Sequence, residues 1–85
     1  MIVNRSEILE RVCYTELVYD RIKKKLNFDI SRKEIEDYII EILKNTNADF
    51  FTKTGKNYYV MNTKVSIRIT INSNTFRVIT VDKIK

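Results

Sequence analysis

Val65-Ser66-Ile67-Arg68-Ile69-Thr70-Ile71-Asn72 alternates four apolar with four polar side chains, the pattern of a strand buried on one face only. Thr75 to Val81 reads as its antiparallel partner across a turn at Ser73-Asn74, residue types that tolerate turn dihedrals. Asn57 to Met61 is a shorter strand before them. A turn of two or four residues pairs Ile71 with Phe76, Ile69 with Val78 and Ile67 with Thr80. An odd loop would set Arg77 opposite Ile69 on the core side, at a heavy desolvation cost. The even register puts Arg68, Thr70, Asn72, Thr75 and Arg77 on the outer face, with Ile79 and Val81.

Upstream, the period changes from two to that of a helix. Asn4-Arg5-Ser6-Glu7 resembles a capping box, with Val3 and Ile8 placed as a hydrophobic staple. Ile8, Val12, Tyr19, Ile22 and Leu26 continue one apolar face. Thr15 is placed to cap a fresh helix, so the continuity of the first helix through Cys13-Tyr14-Thr15 stays open. Cys13, beside Val12 in the pattern, reads as a small core residue. Asn27 to Ile30 is the connection. Ser31-Arg32-Lys33-Glu34 is a second capping box with Ile30 and Ile35 as its staple, and Ile35, Tyr38, Ile39, Ile42 and Leu43 follow one face. The expected fold is a single α+β domain over residues 1–85. Its two N-terminal helices pack on one face of a C-terminal three-stranded antiparallel meander.

Composition narrows the function. The chain has 85 residues, 44% hydrophobic and 32% charged, a globular balance. No apolar run approaches the length of a membrane span, and no stretch resembles a secretory leader. A single cysteine fits a reducing cytoplasm. With no histidine, an ordinary zinc site is not expected, and neither a metal nor a cofactor is implied. The net charge is +5, and all of the excess lies in the second half. Met1 to Asn45 carries nine Lys/Arg against nine Asp/Glu, whereas Thr46 to Lys85 carries seven against two, Asp49 and Asp82. That asymmetry points to an anionic partner.

The outer sheet face is the first candidate site. Arg68 and Arg77 would hold phosphates, Thr70 and Asn72 would hydrogen-bond a sugar or base, and Tyr58 or Tyr59 would stack. A second candidate is the stretch 51–58, read as a loop, where Gly55 permits close approach and Lys53 and Lys56 favour an anion. It is not a P-loop, because the first glycine is missing and a strand follows. Arg21-Ile22-Lys23-Lys24-Lys25 fits the cationic end of a helix. Glu34, Glu36, Asp37 and Glu41 fit a solvated helix face. Without histidine, acid–base work at neutral pH would fall to a strongly perturbed carboxylate, lysine or tyrosine, so a binder is expected rather than an enzyme.

The stretches Cys13–Tyr19, Gly55–Val60 and Arg68–Val81 resemble a small domain-of-unknown-function family of Gram-positive bacteria and their phages, over about Cys13 to Lys83. The resemblance implies no activity. In layout alone the chain is also similar to RelE-like and BrnT-like toxins, and to phage anti-defence proteins that sequester cyclic dinucleotides or cyclised ADP-ribose. The expected function is therefore non-enzymatic capture of a phosphate-bearing nucleotide by a cytoplasmic homo-oligomer, in the manner of a phage anti-defence protein. An RNA-cleaving toxin or RNA-binding module is one alternative, and an inhibitor of a nucleic-acid-binding host protein is another.

Overall fold

The computed structural model describes residues 3–27 and 29–84; Phe28, in the expected connection, lies outside them. Three helices, α1 (Arg5–Arg11), α2 (Glu16–Leu26) and α3 (Arg32–Asn45), precede a 3₁₀ turn (Ala48–Phe50). Four strands follow: β1 (Phe51–Thr54), β2 (Asn57–Asn62), β3 (Ile67–Asn72) and β4 (Val78–Lys83). They form one antiparallel sheet in the order β1-β2-β3-β4. The fold is α+β, with one helix and one strand more than the sequence suggested. Among the described residues no helix is long and apolar enough to cross a membrane.

The added helix arises where backbone is diverted into the sheet. Cys13 N–H donates to the Phe76 carbonyl and Val78 N–H donates to the Cys13 carbonyl, both at 2.9 Å. Cys13 thus makes a parallel bridge to Arg77 and cannot continue the α1 hydrogen-bond ladder. Its side chain is exposed, not in the core as expected. Thr15 sits at the N-cap of α2, although its side chain caps nothing.

The added strand is β1. Phe51 to Tyr58 is a hairpin rather than a loop, with Thr54 paired to Asn57 around a two-residue turn. Gly55 takes φ +60 there, the sign a tight hairpin requires at its first central position. A Cβ at Gly55 would meet nothing within 4 Å, so Gly55→Ala carries backbone strain alone. About 1–2 kcal/mol of destabilisation is expected from chemical denaturation.

The β3–β4 register also departs from expectation. Ile71 pairs with Val78, Ile69 with Val81 and Ile67 with Lys83, with a bulge after the first pair. Ile71 moves from Phe76 to Val78 because the loop spans residues 73–76 and is closed by Asn72 N–H donating to the Arg77 carbonyl at 2.9 Å, whereas the bulge comes from spacing. Val78 and Val81 are three residues apart, and an unbroken period of two cannot turn both inward, whereas one extra residue, Ile79, can. Val81 is consequently fully buried instead of facing outward. The loop before β4 is pinned by Asn72 Oδ1, which accepts from the N–H groups of Asn74 and Thr75. Phe76 is held at φ +59, with its ring under the Arg11 guanidinium.

The helices cover the face formed by Val60, Ile67, Ile69, Ile71, Val78 and Val81. Ile8, Val18, Ile22, Ile35, Ile39 and Leu43 pack against it in one core. The second capping box forms as the sequence predicts, with Ser31 and Glu34 capping each other's backbone N–H. Those bonds hold the exposed Glu34 carboxyl below the usual carboxylate range. A lowered folded value means the box stabilises above the ordinary carboxylate range and is lost as pH falls through the lowered one. Ser31→Ala is expected to lose about 1 kcal/mol of stability through the missing N-cap, while NMR titration shows Glu34 still lowered, because the variant keeps the Ser31 backbone N–H that donates to its carboxyl.

Candidate functional site

The residues predicted as a site are not brought together. Asp82, one of only two acids in the second half of the chain, pairs in register with Arg68. Its carboxylate lies 3.6 Å from the Arg68 guanidinium and 2.8 Å from Lys25 Nζ. Arg77 lies beyond the other end of β4, about 15 Å away along the strand. There it lines a small pocket with Arg21, Thr15 and Leu17. The expected register, with Ile69 opposite Val78 and both arginines together on the outer face, is therefore corrected. Thr70 does lie on the outer face, but it is buried between its register partners Tyr59 and Thr80. Asn72 Oδ1 is consumed by its loop. Tyr58 packs against the core and Phe76. Tyr59 stays on the outer face, and its hydroxyl accepts from Asn57 Nδ2 at 3.4 Å. Lys53 and Lys56 are exposed on the β1–β2 hairpin, where the Lys56 carbonyl accepts from the N–H and hydroxyl of Ser73 in the loop before β4.

A different set of polar residues converges where α3 ends beside the β2–β3 turn. Thr46, the C-cap of α3, is buried and its hydroxyl donates to the Ile42 carbonyl at 2.6 Å. Asn62, also buried, donates from Nδ2 to Thr46 Oγ1 at 2.9 Å. Asn62 Oδ1 in turn accepts from the N–H groups of Lys64 (3.0 Å) and Val65 (3.2 Å). Arg5, at the start of α1, donates from Nη1 to the Thr46 carbonyl at 2.9 Å. Helix end, turn and N-terminal helix are thus tied by a fully bonded polar network, which fixes geometry well when every member is satisfied.

Above this floor opens a cleft of about 410 Å³. Arg5 and Lys64 supply cations, and Asn45, Asn47 and Thr63 supply further polar groups. Phe50 and Met61 are 48% and 38% exposed at its rim. Among the described residues no carboxylate lines it. The α3 C-terminus turns its negative dipole end toward the cleft, and the Arg5 guanidinium offsets it by donating to the Thr46 carbonyl. None of these residues was among the sequence candidates. The legible signals were the clusters Asn45-Thr46-Asn47 and Asn62-Thr63-Lys64, together with an aromatic side chain, Phe50, in a polar segment.

The groups with shifted protonation lie elsewhere. The Tyr19 hydroxyl donates to Glu36, and that bond, ahead of burial, pushes it up to about 12. Burial, aided by Glu36, raises Tyr14 further, and its hydroxyl has no hydrogen-bond partner. The exposed Glu16 carboxyl is lowered by its hydrogen bonds and ion pair with Arg32. Among the described residues no cluster of three acids or cysteines is placed to hold a metal ion.

The model of a family described as "Protein of unknown function (DUF3781)" matches residues 6–82, nearly the whole chain. No curated protein and no solved structure matches.

Proposed function

Since the chain belongs to the DUF3781 family, whose function is unknown, no activity comes with membership. From the cleft we propose that it binds a phosphate-bearing nucleotide without turning it over. The observation that carries this reading is the convergence of Arg5, Lys64, three asparagines and an exposed Phe50 in one carboxylate-free cleft. Arg5 and Lys64 hold phosphate oxygens, Phe50 stacks on the base, and Asn45 and Asn47 bond the base or sugar edge. The volume lies within the range of small-molecule sites. A lining of cations and amides without a carboxylate among the described residues favours binding over acid–base chemistry.

Magnitudes are consistent with this division of labour. Two charge-assisted hydrogen bonds contribute about 3–6 kcal/mol, and one stacked base adds about 1–3 kcal/mol. Together these reach the roughly 8 kcal/mol of micromolar affinity. Calorimetric titration against mononucleotides, cyclic dinucleotides and ADP-ribose tests the reading. At least one member is expected to bind in the micromolar range. Phe50→Ala should weaken that binding at least about fivefold, and Arg68→Ala should leave it unchanged. No heat from any member, or binding that Arg77→Ala abolishes and Lys64→Ala does not, would remove this site from consideration.

A further inference from the structure

Two helical faces remain turned to solvent, away from the cleft, and they carry opposite charge at matched spacing. On α2, Leu17, Asp20, Arg21, Lys24 and Lys25 line a shallow trough. The steps of three and four residues place them on one stripe. Leu17 is 76% exposed, and three cations stand against one carboxylate. On α3 and the turn before it, Ile30, Glu34, Asp37, Tyr38 and Glu41 line a second trough. Its helical members fall at the same steps, and three carboxylates line it without a cation. The two troughs are of similar size, about 450 and 480 Å³.

Internal pairing occupies part of this charge. Lys25 is engaged by Asp82, and Arg21 Nη1 donates to the Ile79 carbonyl at 3.3 Å. Lys33 reaches Asp37 at 3.6 Å, an exposed pair of small value. Glu34 is partly committed to the capping box. Among the described residues, Lys24 and Glu41 enter no ion pair.

We propose that the basic α2 stripe of one molecule docks on the acidic α3 stripe of a second copy. Leu17 is then covered by the apolar parts of Ile30 and Tyr38, while Arg21 and Lys24 face Asp37 and Glu41. The complementary surface is present on the same chain, so the acidic stripe of a second copy meets the basic stripe of the first and leaves its own basic stripe open to a further copy. Such a contact joins unlike faces, and it closes into a ring or repeats as a chain. One helix-on-helix contact of this length falls short of the roughly 1,200 Å² of a stable interface. Association is therefore expected to depend on concentration and to weaken with salt.

Sedimentation equilibrium at low salt is expected to give a mass that rises with concentration above the 10.2 kDa of the monomer, and that falls back at high salt. Two charge-reversed variants carry the test: Arg21→Glu with Lys24→Glu, and Asp37→Lys with Glu41→Lys. All four positions are exposed, and circular dichroism checks that the fold is kept. Each variant alone should stay monomeric, whereas a mixture of the two should associate, because every contact between unlike variants is again attractive. A wild type that is monomeric at all concentrations would overturn the proposal. So would a variant that associates as tightly as wild type, or a mixture that does not associate. Nucleotide binding at the cleft is read separately and decides nothing here.

Discussion

Ile69→Ala is expected to destabilise the domain by about 2–5 kcal/mol, the cost of deleting a fully buried aliphatic side chain and leaving a cavity. Ile69 is fully buried on β3, paired with Val60 on one side and Val81 on the other, both equally buried. A chain of this length has a total stability of about 4–13 kcal/mol, so the variant is expected to unfold at a much lower urea concentration. A loss below about 1 kcal/mol would mean that the helices do not cover this face as described.

Asn62→Ala is expected to have the second large effect, and it links fold to site. The side chain donates to Thr46 and accepts from two backbone N–H groups. Removing it leaves groups at the base of the cleft without partners, and each buried orphan costs about 1–3 kcal/mol. A stability loss of about 2–4 kcal/mol should accompany loss of nucleotide binding even at temperatures where the variant remains folded. Lys64→Glu provides the contrast, since Lys64 is exposed on the turn. Stability should change little while binding falls at least about tenfold. If Asn62→Ala binds as well as wild type, the network does not shape the site.

Much of the fold was legible because it rests on local chemistry. Ser31 and Glu34 announce α3, and the alternation from Ile67 to Asn72 announces β3. What stayed hidden depends on distant partners. β1 is a short edge strand whose Thr52, Lys53 and Thr54 are exposed, as edges commonly are, and such a segment reads as loop. The break after α1 is caused by Cys13 bonding to Phe76 and Val78, more than sixty positions away. The bulge at Ile79 was foreshadowed only by the spacing of Val78 and Val81.

The arginine face failed for a specific reason. Charge counting treated Asp82 as background, and the bulge delivers it opposite Arg68. The cleft was invisible for the opposite reason. Arg5, the Asn45–Asn47 segment, Phe50 and the β2–β3 turn are far apart in sequence, and only the Thr46–Asn62 hydrogen bond brings their elements together.

The most direct measurement of the central claim is an NMR titration of isotopically labelled protein with the same nucleotide panel, followed residue by residue. Saturable shifts concentrated at Asn45, Asn47, Phe50, Thr63 and Lys64, with Arg68, Thr70 and Arg77 unmoved, are the expected result. Shifts centred on the outer sheet face, or none with any nucleotide, would contradict it.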